Sequence, residues 1–78
     1  MQEDIYITRD EFIAGQQWYW QAGDSDVWYY DSSVNQIKQL EGDLYADVTE
    51  LGASAFNFTY PGEDTQSYPF EWLVQYNG

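Results

Sequence analysis

Hydrophobic and polar positions along the chain mark out short elements separated by turn signals about every ten residues. Ile5-Tyr6-Ile7 is a brief alternating piece. Thr8-Arg9-Asp10-Glu11 has the form of a capping box, with the Thr8 hydroxyl placed to accept from the Glu11 amide. A short helix over about 9–14 follows, expected to turn Phe12 and Ile13 inward and to stop at Gly15. Two aromatic strands come next, over 16–21 and 26–31. Trp18 and Trp20 share one face and Tyr19 takes the other; Trp28 and Tyr30 share a face opposite Val27 and Tyr29. Both faces therefore carry large rings, one as core and the other as a second layer or an exposed surface.

Residues 31–41 fit two readings. Val34, Ile37 and Leu40 recur at helical spacing, whereas Asp31-Ser32-Ser33 followed by Asn35 is good turn chemistry before a strand at 36–40. The strand is preferred, because both neighbours are strands. After a turn at Glu41-Gly42-Asp43, residues 44–51 alternate with Leu44, Ala46 and Val48 on one face. Residues 55–60 place Phe56, Phe58 and Tyr60 together. Tyr60-Pro61-Gly62-Glu63 suits a type II turn. A polar loop over 63–67 leads to a last strand at 70–76, with Phe70, Trp72, Val74 and Tyr76 on one face and Glu71, Leu73 and Gln75 on the other. The pattern predicts one mainly β domain over 1–78: an antiparallel meander forming a small barrel or strongly curved sheet, with one short N-terminal helix plugging an end.

Composition explains how so short a chain can fold. Four Trp, eight Tyr and four Phe outnumber the twelve Val, Ile and Leu, and each buried ring removes about 150–250 Å² from water. With no cysteine and no histidine, neither a disulfide, a Ser-His or Cys-His pair, nor an ordinary zinc site can be built. No glycine-rich phosphate loop is present. Among fourteen acids some carboxylate pair always stands at a workable distance, so such a pair carries no specificity for catalysis. Asp24-x-Asp26 and Glu63-Asp64 lack the glycine and glutamate of a calcium loop. The Asn57-Phe58-Thr59 sequon falls within a strand and is read as chance. No enzyme activity and no cofactor are expected.

Charge changes the picture most. Fourteen Asp and Glu face only Arg9 and Lys38, for a net charge of −12. Area scaling gives roughly 5,000 Å² of surface for a chain of this mass, or about one net negative charge per 400 Å². Such a field repels nucleic acid and anionic membranes and draws in basic surfaces. Stacking on bases would need a basic groove, which two cations cannot supply. The acidic Met1-Gln2-Glu3-Asp4 is unlike an export signal, so a cytoplasmic location is expected.

Ordinary surfaces mix both signs of charge; this one reads as an imitation of a polyanion. Carboxylates two apart on a strand lie about 7 Å apart on one face. The candidate contributors are Asp24, Asp26 and Asp31 around the first hairpin, Glu41, Asp43 and Asp47 around the next turn, and Glu63 and Asp64 at the Pro-Gly turn. Trp28 and Tyr30 are candidate partner-facing rings, with Tyr19 and Tyr29 as the alternative pair. Thr8–Gly15 followed by aromatic strands resembles the opening of small phage- and prophage-encoded meander proteins. In its small size, acidity, aromatic content and lack of cysteine, the chain resembles DNA-mimic inhibitors such as anti-CRISPR and anti-restriction proteins. That resemblance implies a non-enzymatic inhibitor in a bacterial host, blocking a basic nucleic-acid-binding protein or ribonucleoprotein complex. The alternatives are an aromatic-anchored protein–protein module and a small carbohydrate-binding domain.

Overall fold

A computed structural model describes residues 5–21 and 25–77. The capping box forms as its sequence requires. The Glu11 amide donates to Thr8 Oγ1 at 3.3 Å, and the Thr8 amide donates to Glu11 Oε1 at 3.3 Å. Helix α1 (Arg9–Ile13) follows. It ends because Gly15 takes φ +77° and because a Cβ there would stand 3.1 Å from the Tyr30 carbonyl oxygen. Only Phe12 of the helix is buried; Ile13 faces solvent, contrary to expectation. In a helix of barely more than one turn, two adjacent residues cannot share the inner face.

Seven strands follow: β1 (Trp18–Trp20), β2 (Trp28–Asp31), β3 (Gln36–Gln39), β4 (Tyr45–Leu51), β5 (Ala55–Thr59), β6 (Gln66–Pro69) and β7 (Leu73–Gln75). They form one antiparallel sheet in the order β6-β5-β4-β3-β2-β1-β7. The strand reading of 36–40 holds: Asn35 takes φ +57° and ends the turn after β2. Its side chain then ties three elements together, accepting from the Tyr30 hydroxyl and donating to the Val48 carbonyl at 2.9 Å. The type II turn is present, with Gly62 at φ +79° and the Glu63 amide donating to the Tyr60 carbonyl at 3.0 Å. A bulge at Val48/Glu50 bends β4.

The sheet curls into a half-barrel, and the chain's last segment shows why. β6 and β7 occupy opposite margins of the ladder, yet only Phe70–Trp72 joins them. In a flat sheet those margins would be about 29 Å apart. The span from Pro69 to Leu73 can bridge at most about 14 Å. Alternation across seven antiparallel strands also makes β6 and β7 run the same way. Residues 66–75 are thus one strand path kinked at a 3₁₀ turn: the first half pairs with β5, the second with β1. The free side of β7 is met by Tyr6, which bridges to Val74.

This kink corrects the expected strand at 70–76 and the expected loop at 63–67. A 3₁₀ turn has three residues per turn, so Phe70 and Leu73 fall on the same side and both are buried. Trp72 and Tyr76, which strict alternation would group with Phe70, are exposed while Phe70 is buried. Leu44, grouped by alternation with the buried Ala46 and Val48, precedes β4 and is also exposed.

The core is aromatic. Phe12 is fully buried and reaches Trp18, Tyr30, Phe56 and Phe70, with ring centroids 4.6–5.9 Å apart. Trp18 and Trp28 stack, and Phe56 and Phe58 continue the cluster across β5. Among the described residues no helix is long and apolar enough to cross a membrane. Because Phe12 joins rings from β1, β2, β5 and the kink, Phe12→Ala is expected to cost about 3–5 kcal/mol. That approaches the whole stability of a domain this small. Urea denaturation followed by tryptophan fluorescence checks it; a loss under 1 kcal/mol would show that the helix is an accessory.

Candidate protein-interaction surface

Antiparallel connectivity sorts the loops by end. The β1–β2, β3–β4 and β5–β6 connections emerge at one end of the half-barrel; the β2–β3 and β4–β5 turns emerge at the other. The first set carries the acids: Asp26 in the loop 21–27, Glu41 and Asp43 in the loop 40–44, Glu63 and Asp64 in the loop 60–65. No Lys or Arg lies in these loops. The turns at the other end, 32–35 and 52–54, are uncharged. Asp24 lies outside the described residues. All five described rim acids are exposed, and Gln39 Nε2 donates to Asp26 at 3.1 Å. Among the described residues no three acids gather as a metal site would require. The rim therefore spreads its charge.

The other predicted acids sit elsewhere. Asp31 ends β2, away from the rim, and is engaged within the chain. It accepts from Lys38 Nζ at 2.9 Å, from Ser33 Oγ at 2.6 Å and from the Ser33 amide at 3.0 Å. The Ser33 hydroxyl first, and Lys38 second, lower its pKa from 3.8 to about 2. The same contact raises the pKa of Lys38. Asp47 lies on the outer face of β4 and accepts from Gln36 Nε2 at 2.9 Å. Neither residue joins the rim.

The two predicted partner-facing rings are core residues. Trp28 is 1% exposed and Tyr30 6%. Tyr30 is held by Phe12 stacked on its ring and by Asn35 on its hydroxyl. Burial, and then the nearby Asp31 charge, raise its pKa. The alternative pair faces outward: Tyr19 and Tyr29 are half-buried on the convex side. Tyr6, Tyr45 and Tyr76 join them there, 43%, 40% and 39% exposed. Cross-strand register sets the arrangement, with Tyr6–Val74–Tyr19 along one row and Tyr29–Lys38–Tyr45 along the next. Five of the eight tyrosines are thus on the outer face. Alternation in the sequence showed that both faces bear rings; which face was core depended on the helix. The tryptophans make no sugar platform, since Trp18 and Trp28 are buried, Trp20 is half-buried, and only Trp72 is exposed.

Comparison with protein-family models, with curated proteins and with solved structures returned no match for the chain.

The Asp31 contacts predict a pH dependence with a definite sign. A carboxyl whose pKa is lowered on folding stabilises the fold above its unfolded value. That contribution is lost as pH falls from about 4 towards 2. In a carbon-detected NMR titration, Ser33→Ala should raise the Asp31 pKa more than Lys38→Met does. Equal values in both variants and the parent would remove these contacts as the cause.

Proposed function

We propose that the domain is a non-enzymatic inhibitor that presents its acidic rim to a nucleic-acid-binding surface and blocks it. The observation that carries this reading is the make-up of three loops at one end, which bear five described carboxylates and no cation. Successive loops on that rim are two strands apart, about 10 Å. Three loops thus span about 20 Å, or one carboxylate per roughly 4 Å on that spacing. One strand of a duplex carries one charge per about 3.4 Å. The rim therefore approximates the charge spacing of a single phosphate backbone, on a scaffold that offers no bases. A target that reads backbone charge would accept it; a target that reads base edges would not.

The partner on this reading is a basic protein or ribonucleoprotein whose groove normally holds DNA or RNA. The chain's small size, acidity and aromatic content, shared with DNA-mimic inhibitors, support a partner among bacterial defence complexes, reached in the cytoplasm of the host. The domain itself binds neither nucleic acid nor membrane, since its field repels both.

Displacement of labelled duplex DNA from purified restriction and RNA-guided nuclease complexes, followed by fluorescence anisotropy, tests the proposal. One of these complexes should lose DNA to the protein, and raising NaCl from 0.1 to 0.5 M should weaken inhibition by roughly tenfold or more. Neutralising Asp26, Glu41, Asp43, Glu63 and Asp64 to their amides should abolish inhibition without lowering thermal stability, because exposed like charges only repel one another. Asp47→Asn should change inhibition less than threefold, roughly the range of a peripheral charge. Inhibition that ignores both salt and the rim substitutions would overturn the mimic reading.

A further inference from the structure

The acidic rim meets the tyrosine face at one place. A groove of about 200 Å³ opens on the convex side of β2–β4. Its lining includes Asp43 of the rim, the rings of Tyr29 and Tyr45, and Lys38, Gln39 and Leu44. The register Tyr29↔Lys38↔Tyr45 puts one ring on β2 and the other on β4, with the lysine stem of β3 between them. Lys38 does not present a free positive charge there, because its ammonium is held by Asp31 at 2.9 Å. What the groove offers a partner is the exposed Asp43 carboxylate, the exposed ring of Tyr45 and the half-buried ring of Tyr29.

We infer that this groove is an arginine-selective pocket, which receives a guanidinium from a basic protein partner. The inference rests on the basic-partner reading above and deepens it by naming the partner's side chain. Charge complementarity argues for a cation, since the rim that borders the groove bears only acids. The rings argue for arginine over lysine. A guanidinium is planar and weakly hydrated, so it stacks on a tyrosine face while its edge donates to a carboxylate. A lysine ammonium is a compact, strongly hydrated charge and gains little from the same ring. Tyrosine and arginine are also the residues enriched at binding hot spots, where rigid rings order at small entropic cost. A polyanion that only mimicked charge would not distinguish the two cations; this groove gives the surface a means to do so.

Two peptides of equal charge, acetyl-(Gly-Arg)₆-amide and acetyl-(Gly-Lys)₆-amide, provide the probe. Titrated into the ¹⁵N-labelled protein and measured by calorimetry, the arginine peptide should bind at least fivefold tighter. It alone should shift the amides of Tyr29, Lys38, Asp43 and Tyr45. Tyr29→Leu with Tyr45→Leu should bring the two affinities together by weakening the arginine peptide only. Tyr29→Phe with Tyr45→Phe, which keeps the rings, should retain the preference. The wild-type ratio is itself decisive, so the test survives if the leucine variant fails to fold. Equal binding of both peptides with strong salt dependence would overturn the arginine pocket and leave the acidic rim standing. Binding of neither peptide would overturn both.

Discussion

Phe70–Trp72 must join the two margins of a seven-strand ladder, a distance that three residues can cover only if the sheet rolls up. The rest of the architecture follows from that constraint. Rolling gives the sheet an inside and an outside, so each strand must choose which of its two ring-bearing faces to bury. It also gives the meander two distinct ends, so the hairpin loops divide into an acidic set and an uncharged set. The same short turn feeds the core directly, because Phe70 packs against both Phe12 and Phe56. Closure and core formation are thus one event, in which the helix, the kink and β5 converge on the same rings.

The aromatic core makes the charge tolerable. A chain with two cations and fourteen acids gains little from ion pairing, and the shorter of the two ion pairs among the described residues, Asp31–Lys38, is partly exposed. Cohesion has to come from apolar area, and rings supply the most of it per residue. Outside that core the acids are held apart on loops and on the convex face, where solvent screens them. The position of Lys38 is consistent with this division. It stands beside the half-buried carboxylate of β2 rather than on the rim, so it quiets a charge within the sheet and leaves the rim's field unopposed.

Local signals in the sequence were readable because their causes are local. Thr8 and Glu11 cap a helix, Pro61-Gly62 makes a type II turn, and Asp31–Asn35 turns the chain into β3, all through bonds within a few residues. β6 was missed because Gln66, Ser67 and Pro69 have no strand-like composition; pairing with β5 alone makes it a strand. The phase of 70–76 was misjudged because a 3₁₀ turn changes the period from two to three inside an apparently regular run. The same limit applied to the site. Each acid of the rim was visible as a candidate, but their convergence, and the separation of Asp31 and Asp47 from them, depend on counting hairpins. Nothing within β2 marks Trp28 and Tyr30 as inner, because the rings that cover them come from elsewhere in the chain: Trp18 and Tyr60 on Trp28, Phe12 on Tyr30.

The two outward features act at different ranges, and their adjacency gives them different parts in one encounter. Exposed carboxylates on a rim attract a basic surface over a distance of about a Debye length, some 8–10 Å in ordinary salt. They raise the association rate and orient the approach, but exposed charges hold a complex weakly. Tyrosine faces exert no comparable pull at that distance; their attraction begins within about 6 Å and lengthens the lifetime once the surfaces meet. Asp43 belongs to both features, lying in an acidic loop and in the wall of the tyrosine groove. On the proposed reading, a partner drawn in by the rim is delivered to the rings without a second search: charge finds the class of partner, and two tyrosines flanking Lys38 choose within it.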